Sequence, residues 1–210
     1  MLQRISEQLI RRLQQPLPGN NAHLKMAHQE RLDYFSKYRI PDNARISSVL
    51  MLLYEKDEKL HLPLIVRAND GTVHSGQISL PGGSIEPDDE HLAFTAVRET
   101  EEEIGIPRKG ITVLGRLSQI YIPPSNFLVH PFIGKFTGAP VFSEPNNEVA
   151  QVLEVCIEEL FDENKIQEKT IVFRNGKSIS TPAYVYDNHI IWGATAMMLS
   201  ELRMVLTELT

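Results

Sequence analysis

Residues 82–106, GGSIEPDDEHLAFTAVRETEEEIGI, contain the clearest helix signal in the chain. Asp88 and Asp89 supply an acidic, capped start and Gly105 supplies a stop, so the pattern predicts a helix over residues 89–104. Its buried stripe is predicted from apolar and small residues at helical spacing. They are Ala93, Ala96, Val97, Thr100 and Ile104.

Three glutamates flank that stripe. At about 100° per residue, Glu99, Glu102 and Glu103 fall within an arc of roughly 100°. Carboxylates this close repel one another unless a cation lies among them, and Mg²⁺ prefers oxygen ligands of this kind. Arg98 lies one turn before Glu102 and can pair with it, whereas Glu101 falls on the other flank. The helix therefore carries either a divalent metal site or a solvated acidic face.

The rest of the chain reads as strands around this helix, with further helices at the ends. Pro81-Gly82-Gly83 predicts a turn that lets the backbone approach a metal or phosphate closely. Amphipathic helices are predicted over residues 1–15, near 27–37 and over 190–209. Strands are predicted over residues 47–54, 62–67, 111–117, 119–122, 128–136, 152–157, 170–173 and 183–186, the first two as a hairpin. This order favours an α+β or α/β/α layered domain.

Composition narrows the class of protein. The 210 residues suit one domain of ordinary size, which we divide into an N-terminal helical extension, residues 1–43, and a main domain, residues 44–210. A net charge of −6 argues against broad nucleic-acid binding. No segment has the apolar length of a membrane span, and the single cysteine, Cys156, excludes an internal disulfide. We expect a cytoplasmic protein, with a mitochondrial targeting helix at the N-terminus as the alternative.

The stretch from Gly82 to Ile106 resembles the Nudix box, a motif of fixed spacing. Four of its elements match in register: Arg98-Glu99, Glu102-Glu103, Gly105 and Ile106. Thr100 stands where a larger apolar residue is usual. If Glu90 fills the first glutamate position, the spacing from Gly83 is one residue too long. That extra residue, with an aspartate such as Asp89 before the position, is typical of the coenzyme A pyrophosphatase branch.

The resemblance implies the Nudix fold, an α/β/α sandwich with a mixed β-sheet and a loop-helix-loop catalytic motif. It implies cleavage of a nucleoside diphosphate linked to another group, with Mg²⁺ or Mn²⁺ as cofactor. Glu99 and Glu103 are then expected as metal ligands, Glu102 as ligand or base, and Arg98 as the residue that orients Glu102. In-line attack of a metal-activated water on phosphorus would follow.

A second resemblance narrows the substrate. Residues 64–83, LIVRANDGTVHSGQISLPGG, are similar to the extra motif of the coenzyme A branch. Arg67-Ala68, Gly76 and Pro81-Gly82-Gly83 fit it, whereas Thr72 replaces a second arginine and Leu80 a phenylalanine. Residues 129–134, 146–149 and 191–196 also resemble that branch. The implied products are 3′,5′-ADP and 4′-phosphopantetheine or its acylated form.

Several residues outside the helix are candidates for binding substrate, each with an ordinary structural role as the alternative. They are Arg67, His74, Gln77, Ser79, Gly82 and Gly83. Glu148, in a loop, is a candidate fourth metal ligand or base, or a plain exposed glutamate. Trp192 is a core residue or a base-stacking platform.

Two other functions remain open at this level. Loss of the second arginine favours hydrolysis of ADP-ribose or another nucleoside diphosphate derivative. A non-catalytic ligand-binding module is the alternative from another class, although the complete set of glutamates argues against it. In each case the expected partner is a small-molecule nucleoside diphosphate, with no nucleic acid and no membrane, and a homodimer remains open.

Overall fold

The computed structural model describes residues 1–32, 39–69, 71, 75–173 and 175–209. The helix predicted near 27–37 is present at residues 29–32, and residues 33–38 lie outside the described part. In the described ranges, no helix is long and apolar enough to cross a membrane.

The apolar runs before and after residue 57 form the predicted hairpin. Strand β1 is Arg45–Lys56 and β2 is Lys59–Arg67. The two residues between them, Asp57 and Glu58, have φ values of 51° and 60°. Positive φ at both central positions gives a turn whose twist matches that of the flanking strands.

These two strands form the centre of a mixed sheet. Strand β1 runs parallel to β7, with Arg45 opposite Phe127 and Leu53 opposite Lys135. The other pairings in this sheet are antiparallel. Its remaining strands are β3 (Ile78–Ser79), β4 (Gly82–Ser84), β5 (Ile111–Arg116), β6 (Ile120–Ile122), β7 (Phe127–Phe136) and β8 (Val149–Cys156).

A smaller antiparallel sheet and five α-helices, besides the helical residues 29–32, are the other main elements of the described structure. The small sheet contains β9 (Ile166–Val172), β10 (Ser178–Tyr186) and β11 (His189–Ile191), with β10 in the middle. The helices are α1 (Leu2–Arg12), α2 (Asn20–His23), α3 (Leu92–Ile104), α4 (Ile157–Leu160) and α5 (Gly193–Thr207).

Helices cover both faces of the main sheet, which confirms the predicted α/β/α sandwich. On one face Ala96 and Ile104 of α3 pack against Leu50 and Leu52 of β1. On the other, the intervening β1 residues Met51 and Leu53 join the core that contains residues of α1 and α5. Alternate residues of one strand thus support opposite layers, as the period of two requires.

Some sequence-based expectations need correction. The prediction of a turn at Pro81-Gly82-Gly83 is wrong for the two glycines. Gly82 and Gly83 instead pair with Val49 and Ser48 and belong to strand β4. Helix α3 begins at Leu92 rather than at residue 89, and the Nδ1 atom of His91 accepts its capping bond from the Phe94 N–H. The C-terminal helix begins at Gly193, because residues 189–191 pair with β10. Helix α1 ends at Arg12, short of the predicted residue 15.

A buried glutamate joins the first forty residues to α5. Glu201 Oε2 lies 3.0 Å from His23 Nε2 and accepts the Ser118 N–H at 3.1 Å. Its Oε1 accepts the Gly19 N–H at 2.8 Å and the Ser118 hydroxyl at 2.6 Å. Hydrogen bonds to both oxygens compensate for removing this carboxylate from water.

We expect Glu201→Ala to lower the free energy of unfolding by about 3–5 kcal/mol, because it leaves the buried partners of the carboxylate unsatisfied. Urea denaturation measures this change. Glu208→Ala is the control, because Glu208 pairs with Arg12 at the surface and should contribute less than about 1 kcal/mol. Equal losses in the two variants would contradict the role of the buried network.

Candidate functional site

Arg98 lies at the centre of a group of carboxylates. Its Nε and Nη2 atoms donate to the two oxygens of Asp89 at 2.9 and 3.0 Å. Its Nη1 lies 2.9 Å from Glu102 and its Nη2 lies 3.0 Å from Glu99. The predicted pairing of Arg98 with Glu102 is therefore present. A guanidinium engaged on several sides has a fixed orientation, and so have the carboxylates around it.

Asp89, rather than Glu90, accepts two hydrogen bonds from Arg98. The Asp89 side chain is only 2% exposed and also accepts a bond from the Thr95 hydroxyl at 2.9 Å, whereas Glu90 is exposed. The hydrogen bonds from Arg98 hold the pKa of Asp89 well below its ordinary value. Asp89, at the regular distance from Gly83, thus takes the position beside Arg98, and Glu90 does not. The spacing of the motif alone does not distinguish these two residues.

Glu103 is the most deeply buried glutamate of this helix. Its Oε2 accepts the Gly82 N–H at 2.8 Å. Burial raises its pKa to about 8, Glu99 and Glu148 act in the same direction, and the Gly82 bond and Arg67 oppose them. Burial likewise raises the pKa of Glu99, and Arg98 opposes that shift. A positive ion bound beside these buried carboxylates would stabilise their ionised form.

The two glycines before the helix allow these carboxylates to approach β4. A Cβ atom on Gly83 would lie 2.4 Å from the carboxylate of Glu99. A Cβ on Gly82 would lie 2.3 Å from the carbonyl oxygen of Ser48, and Gly82 has a φ of 151°. A side chain at either position would push β4 away from β1 or from α3.

The three glutamates predicted as metal ligands differ in their surroundings. Glu99 and Glu103 line a cavity, together with Glu148. The Glu102 side chain is 53% exposed, and its carboxylate is held by Arg98. Within the described ranges, no three His, Cys, Asp or Glu side chains form a ready-made metal site.

The donor chemistry nevertheless fits a hard divalent cation. Glu99, Glu103 and Glu148 offer only oxygen atoms. The raised pKa values of Glu99 and Glu103 reflect burial first and repulsion from neighbouring carboxylates second, and a cation would relieve both. Mg²⁺ commonly takes one or two carboxylates and fills the rest of its shell with water and substrate phosphate. An incomplete protein cage is therefore compatible with such an ion.

The cavity has a volume of about 790 Å³, which suits a cofactor-sized ligand. It brings together most of the residues predicted to bind substrate: Arg67, Gln77, Ser79, Gly82 and Gly83. His74 and Thr72 lie outside the described residues. Trp192 also lines the cavity and contacts Phe173 edge to face, with ring centroids 5.9 Å apart.

On β2 and β3, two side-chain polar atoms that border the cavity are buried without a hydrogen-bond partner among the described residues. They are the Nε of Arg67 and the hydroxyl of Ser79. The backbones of β2 and the following loop are joined there, since the Arg67 N–H donates to the Gln77 carbonyl at 3.0 Å. Unsatisfied buried donors are uncommon and costly, so both atoms are candidates for contact with a polar ligand.

Part of the cavity was not anticipated from sequence. Met26, Met197 and Met198 contribute to its lining, although the periodicity of their segments indicates only buried helix faces. A helical pattern cannot distinguish a side chain that packs against a neighbour from one that borders a cavity. The proximity of α5 to the segment after α2 creates this surface.

Comparison with known proteins gives consistent results. Residues 44–177 match the family model described as the NUDIX domain. A protein named uncharacterized Nudix hydrolase NudL, from Photorhabdus laumondii, is 34% identical over 78% of this chain and 86% of its own length. A protein of the same name from Yersinia pestis is 32% identical over 87% of this chain and 90% of its own.

Solved structures support the fold. The Nudix hydrolase RenU from M. smegmatis superposes with a TM-score of 0.56 at 18% identity, covering 80% of this chain and 88% of that one. A MutT/nudix family protein from Enterococcus faecalis gives 0.51 at 18% identity, covering 90% and 73%. At this level of identity the likeness concerns the architecture of the chain.

The raised pKa of Glu103 predicts how stability depends on pH in the presence of a chelator. Because the folded-state pKa of about 8 lies above the ordinary 4.5, the folded protein binds more protons between these values. The contribution of Glu103 to stability is therefore present below about pH 4.5 and lost as the pH rises through about 8. Denaturant titrations across this range should show a steeper decline for wild type than for Glu103→Gln. If the free energy of unfolding falls equally with pH in both proteins, the pKa of Glu103 is not raised in the folded state.

Proposed function

The chain belongs to the Nudix family of hydrolases, and on that basis we propose that it is a divalent-metal-dependent coenzyme A pyrophosphatase. The reaction would cleave the diphosphate of coenzyme A or acyl-coenzyme A. The products would be 3′,5′-ADP and 4′-phosphopantetheine or its acylated form.

One observation carries this proposal. Arg67, Gln77 and Ser79 belong to the segment that resembles the coenzyme A branch, and they line the same cavity as Glu99 and Glu103. A diphosphate in contact with the carboxylate-bound cation would thus lie within the same enclosure as the buried donors of Arg67 and Ser79. Hydrolysis of a phosphoanhydride requires hydrogen-bond donors for the phosphate oxygens close to the side chains that bind the cation.

Nudix hydrolases generally require a divalent cation, and we propose Mg²⁺ or Mn²⁺ here, held by Glu99 and Glu103. The bound ion would supply Lewis-acid activation of water and neutralise charge on the phosphates. Arg98 would keep Glu99 and Glu102 oriented through the contacts described above. Glu148 lines the cavity and is placed to ligate or to accept the proton of the attacking water, which makes it a better candidate for the base than Glu102.

The direct test is a substrate panel. The protein is incubated with Mg²⁺ and coenzyme A, ADP-ribose, NADH or diadenosine polyphosphates, and the products are identified. Formation of 3′,5′-ADP and 4′-phosphopantetheine, abolished by chelator, is expected. Efficient cleavage of ADP-ribose without cleavage of coenzyme A would refute the proposal, and so would an absence of hydrolysis of every substrate.

We expect Glu103→Gln to lower kcat by a factor on the order of 10²–10⁴ while the protein stays folded, because the amide keeps an acceptor for the Gly82 N–H but loses the charge. Steady-state kinetics and circular dichroism measure the two effects. Glu101→Gln is the matched control: Glu101 contacts Arg108, away from the cavity, and its loss should be nearly silent. A Glu103→Gln variant with more than about half of wild-type turnover would contradict the assignment.

Arg67→Ala should act mainly on substrate binding. We expect KM for coenzyme A to rise by an amount equivalent to roughly 1.5–3 kcal/mol, because a charge-assisted contact with phosphate is lost. Arg116→Ala, at an exposed position of β5, is the control and should leave KM unchanged. If the two variants have the same KM, Arg67 does not bind the substrate.

A further inference from the structure

The cavity spans one face of the main sheet between β4 and β6. The residues of β1, β6 and β7 that line it share this face, because they are paired with one another or lie two positions apart in a strand. At β4, Glu103 accepts the Gly82 N–H and borders the cavity with its carboxylate. The lining residues between β4 and β6 are Ser47, Val49, Ile122, Phe127 and Val129.

A basic side chain, Arg31, borders the cavity at β6. Its Nη2 atom donates to the carbonyl oxygen of Tyr121, and only 9% of the residue is exposed. The Arg31 N–H donates to the His28 carbonyl at 2.9 Å, which closes a helical turn and places both side chains on the same side of it. Both residues line the cavity and precede residues 44–177, the range that matches the family model. The preceding segment therefore brings a buried positive charge to the cavity.

This charge lies at a different place from the carboxylates. Tyr121 and Gly82 are separated by the intervening strands β7 and β1, and by the steps of β1 from Ile46 to Val49. At about 4.8 Å between strands and about 3.3 Å per residue, their backbones are roughly 17 Å apart. The guanidinium of Arg31 contacts the first backbone and the carboxylate of Glu103 the second. One phosphate group cannot contact both, whereas a diphosphate joined through a ribose to another phosphate offers an anion to each.

His28 adds an unsatisfied polar atom beside Arg31. Its Nδ1 atom is buried without a hydrogen-bond partner among the described residues. Burial lowers the pKa of His28, Glu30 opposes this shift and Arg31 adds to it. The imidazole is therefore neutral near pH 7 and carries one N–H group that an anion can accept. Glu30 itself is 68% exposed and lies 3.8 Å from the Nζ of Lys177, so water and the lysine screen its charge.

We propose that His28 and Arg31 form a second phosphate subsite, which binds the 3′-phosphate of coenzyme A while the diphosphate lies at the carboxylates. The inference rests on the proposed function and adds two residues that distinguish the substrate from nucleotides without this phosphate. The guanidinium offers charge and planar N–H groups to the phosphate oxygens, and the imidazole offers one further donor. ADP-ribose and NADH lack the 3′-phosphate and gain nothing from the subsite.

Nucleotides without a phosphoanhydride test the subsite on wild-type protein, independently of turnover. Calorimetry with Mg²⁺ compares 3′,5′-ADP, 2′,5′-ADP and AMP. We expect 3′,5′-ADP to bind roughly 10- to 100-fold more tightly than AMP, the gain from one charge-assisted contact. The 2′,5′ isomer has the same charge at another position and should bind within about threefold of AMP. Equal affinity for 3′,5′-ADP and AMP, or equal gains for both bisphosphates, would overturn the subsite.

Substitutions test the two residues. Arg31→Gln removes the positive charge and retains an N–H group for the Tyr121 carbonyl. We expect the ratio of kcat/KM for coenzyme A over dephospho-coenzyme A to fall at least about tenfold. His28→Phe keeps a ring and removes both nitrogens, and should lower the same ratio by about two- to tenfold. An unchanged ratio in either variant, once thermal unfolding shows that it is folded, would refute the subsite as proposed.

Arg45→Gln is the matched control. Arg45 lies at the start of β1, where it donates to the Ser125 carbonyl at 3.0 Å and stacks over Phe127 at 3.9 Å, but it is exposed and does not line the cavity. Its loss should leave the ratio at the wild-type value. An equal fall for Arg45→Gln and Arg31→Gln would indicate a general effect of charge and overturn the subsite. If Arg31→Gln does not fold, the calorimetric series on wild-type protein decides.

The outcomes separate this inference from the proposed function. Cleavage of coenzyme A without preferential binding of 3′,5′-ADP would leave the proposed function standing and refute the subsite alone. Preferential binding of 3′,5′-ADP that is lost in Arg31→Gln, without cleavage of coenzyme A, would support the subsite and refute the proposed reaction. Cleavage of ADP-ribose alone, with equal affinity for 3′,5′-ADP and AMP, would refute both.

Discussion

The contacts of Arg98 are the constraint on which the site depends. One guanidinium binds Asp89 through two hydrogen bonds and lies within 3.0 Å of both Glu99 and Glu102. These carboxylates come from the loop before α3 and from the helix itself, so the arginine joins the two and sets the position of the loop. The glycines of β4 then complete the approach, because side chains there would collide with Glu99 or with β1. The acidic helix α3 thus depends on a cationic side chain of its own, Arg98, to hold its carboxylates in position.

The remaining carboxylates are kept in an unfavourable environment. Glu103 is buried beside Glu99 and near Glu148, and its raised pKa is the electrostatic consequence. Folding places negative charge where water cannot screen it, which opposes stability at high pH and favours binding of a cation. The proposed cation binding and the stability of the fold therefore place opposite demands on the same side chains. The sandwich core on both faces of β1 supplies the stability that the site lacks.

The cavity is lined both by residues of the matched range, 44–177, and by residues of the segments before and after it. Residues 44–177 contain the carboxylates, whereas Met26 and residues of α5, which lie outside that range, also line the cavity. The buried Glu201 connects these flanking segments, at a cost in desolvation that its hydrogen bonds must offset. Substitutions in these flanking segments would therefore change the lining of the cavity without removing any of its carboxylates.

The sequence alone determined the elements whose signals are local. Helical spacing predicted α3 and its carboxylates, and apolar runs predicted the hairpin of β1 and β2, because period and length are properties of neighbouring residues. The roles predicted for Arg67 and Glu148 rested on resemblance, and the structure adds that both line the cavity. Only the tertiary structure decided that Gly82–Ser84 is a strand, that Asp89 rather than Glu90 binds Arg98, and that Met26 meets α5. Each of these depends on pairing or packing between distant segments, which no local pattern of residues encodes.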